Sequence, residues 1–159
     1  MIRKIFFIAL SLIFAVCCME NPTPEELGIE LSIKTDKLFY TPGEPIEITI
    51  TNFSTGEVRI VETLVKEGKS ISYEKSPLFF VQVLQPDGTW KVAKPYESRH
   101  GAQFPYHMRA AESMSWTSKK MSSTFAGNKI KLILNYKDQA NRHSFVAESE
   151  IIEIKDNKL

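Results

Sequence analysis

The sequence is poor in cysteine and carries almost no net charge. Of its 159 residues only Cys17 and Cys18 are cysteines, so residues 19–159 cannot form a disulfide framework, and a folded domain there must depend on its hydrophobic core. The formal net charge is +1, which provides no bulk field for nucleic acid, and no nucleic-acid partner is predicted. With 43% hydrophobic and 25% charged residues, the composition indicates one globular domain.

Motifs typical of catalysis and cofactor binding are also missing. The sequence has no G-x-S-x-G, no G-x-G-x-x-G and no G-x-x-x-x-G-K-[ST], which excludes the usual nucleophile elbow and the glycine-rich nucleotide cradles. We therefore predict no catalytic residue, no small-molecule cofactor and no enzyme activity. A carboxylate pair that meets only in space would be compatible with a divergent hydrolase, which is the weakest of our three functional hypotheses.

The three histidines do not have the spacing of a metal site. His100 and His107 lie seven residues apart in an irregular stretch, and His143 is distant from both. Zinc needs three or four convergent ligands, usually at short spacing. These histidines are therefore interpreted as exposed loop residues, and no metal site is predicted.

The first residues differ in kind from the rest. A basic "MIRK" precedes the apolar run "IFFIALSLIFAV", residues 5–16, and two cysteines follow. This order is typical of a signal peptide, and the run is too short for a comfortable transmembrane helix, which needs about 20 residues. We predict a signal peptide over residues 1–17, and hence an exported protein.

The stretch "FAVCCMEN" resembles the lipobox of bacterial lipoproteins. The resemblance implies lipid attachment at Cys18, or less favourably at Cys17, because Cys17 is a small residue before the cut whereas Val16 is branched. It also implies a stable anchor in a membrane of the bacterial cell envelope, since such lipoproteins carry several acyl chains. An ordinary cut after Cys17 is the alternative and would give a periplasmic or secreted soluble protein. Residues 18–28, with two prolines that favour extended backbone and three glutamates, are predicted to form a flexible spacer.

From residue 29 onwards the apolar pattern has a period of two. In "PIEITITN" Ile46, Ile48 and Ile50 are expected on one face, after a Pro42-Gly43 turn that needs a positive φ at the glycine. Seven to nine short strands separated by turn signals predict an all-β antiparallel sandwich over residues 29–156. "LFFVQVL", residues 78–84, is expected to be a central strand covered on both faces, and the alternation slips between Ala147 and Ile151, which indicates a bulge.

The stretch "LSIKTDKLFYTPGEPIEITITN" resembles the opening strands of bacterial immunoglobulin-like domains. The resemblance covers residues 31–154 and implies an immunoglobulin-like sandwich, an architecture that hosts many functions. Two places depart from the pattern: "AAES", residues 110–113, lacks the usual Pro-Gly, and Asn128-Lys129 stands where an aromatic residue is expected. A more distant resemblance, to bacterial proteinase-inhibitor domains, supplies the alternative hypothesis of a protease-inhibitor-like module.

The irregular segment 95–113 is the best candidate for a binding surface. Around it aromatic and basic side chains alternate, and such residues on loops are typical interface anchors. The candidate binding residues are Tyr96, Arg99, Tyr106 and Arg109. The competing interpretation is that Trp90, Phe104 and Trp116 fill the core while the cations are solvated. The leading hypothesis is a non-catalytic, lipid-anchored envelope protein that acts in binding, adhesion or envelope assembly, with another envelope or extracellular protein as its partner.

Overall fold

The computed structural model describes residues 23–66, 73–93, 103–118 and 120–156. Within these ranges nearly all regular structure is β-strand, which confirms the predicted all-β class. The elements are β1 (Leu31–Thr35), β2 (Phe39–Tyr40), β3 (Ile46–Asn52), β4 (Val58–Lys66), β5 (Tyr73–Pro77), β6 (Phe79–Leu84), β7 (Trp90–Val92), β8 (Gln103–Met108), β9 (Ser113–Ser118), the single-turn helix α1 (Met121–Thr124), β10 (Lys129–Asp138), β11 (Ser144–Glu148) and β12 (Ile152–Ile154).

The strands form two sheets. The smaller sheet has the order β1-β3-β9, and the larger one has the order β2-β12-β10-β4-β5, to which β6, β7, β8 and β11 are added by further pairing. Every pair is antiparallel except β2 with β12. The two sheets share one hydrophobic core, an arrangement compatible with a β-sandwich.

The strand β3 follows the predicted alternation. Ile46, Ile48 and Ile50 are fully buried, while Glu47 between them is exposed. The preceding turn has Gly43 at φ 87°, as the Pro-Gly pair requires. The side chain of Glu44 closes this turn by accepting a hydrogen bond from the Thr41 backbone N–H at 2.9 Å.

The long strand β10 is the centre of the larger sheet. It pairs with β4 and β6 along one edge and with β11 and β12 along the other. The break between β11 and β12 falls within the stretch from Ala147 to Ile151, where the alternation of apolar and polar residues in the sequence is interrupted. There Ser149 bonds Leu132 twice, since its backbone N–H donates to the Leu132 carbonyl and its hydroxyl accepts from the Leu132 N–H, both at 2.9 Å.

Two local expectations were wrong. Residues 103–108, placed in the irregular segment, form strand β8 against β4. The strand β6 is not covered equally on both faces, because Phe79 and Val81 are buried whereas Phe80 and Gln82 are half-buried. The described part of the chain contains twelve strands rather than seven to nine, since the two residues of β2 leave no periodic signal and the last predicted strand is divided into β11 and β12.

The described part of the predicted spacer, residues 23–28, is folded into a turn where its prolines favoured extended backbone. Thr23 and Glu26 bond each other reciprocally, with the Thr23 N–H donating to Glu26 Oε2 at 2.8 Å and the Glu26 N–H donating to Thr23 Oγ1 at 3.3 Å. This is the geometry of a capping box. The Gly28 carbonyl then accepts a 3.4 Å hydrogen bond from the Thr55 N–H, which fixes the turn to the loop after β3.

The predicted signal peptide and both cysteines lie outside the described residues. In the ranges that the structure does describe, no helix is long and apolar enough to cross a membrane.

Candidate binding surface

Two connections meet at the end of the molecule where β3 finishes. The loop of residues 53–57 joins β3 to β4, and the turn of residues 109–112 joins β8 to β9. Strand register brings them together, because β8 and β9 pair with β4 and β3, with Val58 opposite Met108 and Thr51 opposite Ser113. We refer to residues 109–112 as the Arg109 turn.

The side chain of Asn52 holds the two connections together. It is fully buried, and its amide nitrogen donates to the carbonyls of Gly56 at 2.9 Å, Met108 at 3.0 Å and Arg109 at 2.9 Å. Its amide oxygen accepts from the Ser54 N–H at 2.9 Å. One side chain therefore satisfies backbone groups of both connections, which buried polar groups require.

Backbone hydrogen bonds of the same residue close the Arg109 turn. The Asn52 N–H donates to the Glu112 carbonyl at 3.0 Å, and the Asn52 carbonyl accepts from the Ala111 N–H at 2.9 Å. Ala111 takes φ 59°, a left-handed conformation that is unfavourable for residues with a Cβ. The missing Pro-Gly of "AAES" is thus compensated by hydrogen bonding, and the turn forms with alanine in the position that glycine would fill at lower energy.

The carboxylate of Glu112 organises the outer side of the turn. It accepts from the Tyr106 hydroxyl at 2.5 Å and from the Arg109 backbone N–H at 2.7 Å. The Tyr106 hydroxyl, followed by the Arg109 N–H, lowers the pKa of Glu112 below its ordinary value. The same bond raises the pKa of Tyr106, since the phenol donates to a carboxylate.

The side chain of Arg109 is exposed on this framework. A concavity of about 480 Å³ lies beside it, lined by Tyr106, His107 and the Arg109 turn itself. His107 is exposed on β8, and its Nδ1 lies 2.6 Å from Glu57 Oε1. The arrangement presents one cation and an aromatic edge on a turn whose backbone is already ordered.

The structure brings together two of the four predicted site residues. Tyr106 and Arg109 both contact Glu112, whereas Tyr96 and Arg99 lie outside the described residues. Tyr106 also packs against the core, so it serves the fold as well as the surface. Asn52 and Glu112 were not predicted as site residues, because nothing in their spacing along the chain reveals that they share the turn.

The two tryptophans are structural to different degrees. Trp116 packs against the core and stacks on Phe79 with ring centroids 6.1 Å apart. Trp90 is half-buried, and the Lys131 ammonium lies 5.0 Å from the centre of its ring, within range of a cation–π contact. The core-filling interpretation therefore holds for Trp116.

Among the described residues no group of three or more histidine, cysteine or acidic side chains is arranged to hold a metal ion. In those same ranges every fully buried side-chain nitrogen or oxygen has a hydrogen-bond partner.

No protein-family model matches the chain, and no curated protein matches it. Among solved structures it is similar to Spo0M, a sporulation control protein from Bacillus subtilis, with a TM-score of 0.41 and 12% identity over 82% of this chain and 50% of Spo0M. It is also similar to AvmM, which catalyses macrocyclization in alchivemycin A biosynthesis, with a TM-score of 0.27 and 10% identity over 84% of this chain and 92% of AvmM. The chain thus spans about half the length of Spo0M. Both TM-scores lie below 0.5, so the fold described above rests on the strand pairing of this chain alone.

Proposed function

We propose that the chain is an exported, lipid-anchored, non-catalytic binding module of immunoglobulin-like fold, which binds another protein of the cell envelope through the Arg109 turn. The observation that carries this proposal is the exposed Arg109 side chain on a turn held by Asn52 and Glu112. A turn ordered before binding loses little conformational entropy when the partner docks.

The chemistry of the partner follows from the guanidinium. Arginine offers a planar fork of N–H donors that matches a carboxylate in two parallel hydrogen bonds. The half-buried Tyr106 beside it supplies an aromatic edge without having to be ordered on binding. The proposed partner therefore presents an acidic side chain next to an apolar one.

The anchor is proposed at Cys18, with Cys17 as second choice. Support comes from the apolar run of residues 5–16 and the lipobox-like "FAVCC" that follows it. Without lipidation the same domain would be a soluble periplasmic or secreted protein.

Capture of the partner from the native envelope tests the surface. The full chain is cross-linked in cells as wild type, Arg109→Ala and Arg142→Ala, the last being a matched control because Arg142 is exposed on the neighbouring β10–β11 turn. We expect Arg109→Ala to reduce recovery of the main partner about tenfold, as loss of an interface arginine commonly does. Unchanged recovery, or an equal loss with Arg142→Ala, would reject the Arg109 turn as the binding surface.

Labelling with a radioactive fatty acid tests the anchor. Wild type and Cys17→Ala should incorporate label, whereas Cys18→Ala should not. Label retained by Cys18→Ala excludes that residue as the attachment site, and an unlabelled wild type establishes the soluble alternative.

A further inference from the structure

A second surface feature lies where the two sheets meet without pairing. Strands β1 and β11 approach each other to within 8 Å between Cα atoms, yet among the described residues β1 pairs only with β3 and β11 only with β10. The outer side of this seam opens into a groove of about 700 Å³, bounded by the N-terminal turn and by the loop after β3. We call it the seam groove. Its volume lies in the usual range for ligand-binding clefts.

Two large apolar side chains on the walls of the seam groove are exposed. Phe53 is 58% exposed and Val146 is 56% exposed, and both line the groove. Tyr136 and Ala147, which are both buried, also line the groove. Large apolar side chains left this open beside a cleft are typical of an interaction site.

The charge of the seam groove has one sign. Its lining includes the carboxylates of Glu25, Glu30 and Glu148 and no lysine or arginine among the described lining residues. Glu148 is paired with Lys131 at 3.2 Å, but neither Glu25 nor Glu30 forms an ion pair within the described part of the chain. Glu30 lies close enough to the Tyr136 phenol to add to the effect of burial, and the pKa of Tyr136 is raised.

We infer that the seam groove binds an extended, apolar and basic segment of a partner polypeptide. An apolar side chain of the segment fills the space between Phe53 and Val146, and a flanking lysine or arginine meets Glu30 and Glu25. The carboxylates exclude an anionic occupant such as a lipid phosphate, because like charges would be brought together at short range. This site is separate from the Arg109 turn and has the opposite charge.

The test uses fluorescein-labelled pentapeptides and the full chain in detergent micelles, with binding followed by fluorescence anisotropy. The basic probe is Leu-Lys-Val-Arg-Leu, and the acidic probe is Leu-Glu-Val-Asp-Leu. We expect the basic probe to bind about tenfold more tightly, with an affinity that falls as salt is added, because exposed charges are screened. Equal affinity for the two probes would overturn the proposal.

Matched variants locate the site. Phe53→Ser should weaken the basic probe about fivefold and Glu30→Gln about threefold, since each removes one apolar or ionic contact. Phe39→Ser and Glu47→Gln are the controls, because both side chains are exposed and neither lines the groove, and they should leave the affinity unchanged. If the controls lower affinity as much as the groove variants, the probe binds elsewhere and the proposal fails. Arg109→Ala should have no effect on this assay, so failure of the Arg109 proposal and failure of this one give different results.

Discussion

Replacement of Asn52 by alanine should destabilise the whole molecule and loosen the Arg109 turn in particular. The Asn52 amide reaches three carbonyls and one N–H in a fully buried position. Its two N–H groups and one oxygen can complete three hydrogen bonds at about 1 kcal/mol each, so we expect a loss of about 3 kcal/mol in the free energy of unfolding. That is a large part of the ~5–15 kcal/mol typical of a domain.

Urea denaturation followed by tryptophan fluorescence measures this loss. Thr51→Ala is the control, since the Thr51 hydroxyl bonds Ser113 at 2.9 Å on the outer face of the sheet, and its removal should cost about 0.5 kcal/mol or less. A loss below about 1 kcal/mol for Asn52→Ala, within the range of an ordinary single hydrogen bond, would refute the role given to this side chain.

Asn52→Asp separates hydrogen bonding from side-chain shape. The carboxylate has the same size but cannot donate, and it would face the carbonyls of Gly56, Met108 and Arg109. Burial should raise the pKa of the introduced carboxyl in the folded state above the ordinary ~3.9 of the unfolded chain. As pH rises between these two pKa values the unfolded state releases its proton first, so the variant should lose stability relative to wild type. If the difference in the free energy of unfolding between Asn52→Asp and wild type does not grow between pH 4 and pH 7, this reasoning is contradicted.

Three further outcomes are expected. Ala111→Gly should raise the free energy of unfolding by about 0.5 kcal/mol. Glycine relieves ~1–2 kcal/mol of left-handed backbone strain, which exceeds the ~0.4–1 kcal/mol that glycine costs by raising the entropy of the unfolded chain. A urea midpoint lower than that of wild type would contradict this expectation. Tyr106→Phe removes the hydroxyl that lowers the pKa of Glu112, so carboxyl ¹³C NMR should show Glu112 titrating at higher pH, and an unmoved curve would exclude that bond. Burial and, after it, the hydrogen bond to Asp36 raise the pKa of Tyr40 to about 12. The phenol ionises at lower pH in the unfolded chain than in the folded protein, so the wild-type protein should lose stability as pH rises from 10 towards 12. The urea midpoint of Tyr40→Phe should fall less than that of wild type over this interval. An equal fall would show that another group causes the loss of stability.

Local patterns in the sequence predicted the scaffold well. The alternation of Ile46, Ile48 and Ile50 is a local property of an extended chain with one buried face, so it could be recognised without knowing the partners of β3. The Pro42-Gly43 turn is likewise determined by the two residues themselves. Strand β8 was missed although Phe104, Tyr106 and Met108 alternate with more exposed residues, because Pro105 normally argues against a paired strand.

The arrangement of the candidate surface could be predicted only in part. Tyr106 and Arg109 were proposed from residue type, since aromatic and basic residues outside a regular pattern suggest an interface, and the structure places both beside Glu112. The role of Asn52 depends on the carbonyls of Met108 and Arg109, which lie 56 and 57 residues further along the chain. Such a contact exists only after β8 has paired with β4, and no local pattern encodes it.

The turn of residues 23–28 would also limit how far the domain could reach from a lipid anchor. If Cys18 carries the lipid, only five Cα–Cα steps separate it from Thr23, where the chain becomes fixed by its bonds to Glu26. At about 3.3–3.6 Å per residue this tether is at most about 18 Å long. The end of the domain that carries the Arg109 turn and the seam groove would then be confined to a thin layer next to the bilayer. Partners that reside in or on the same membrane would meet it by two-dimensional diffusion at high effective concentration, so even modest affinities at these two surfaces would be sufficient for association.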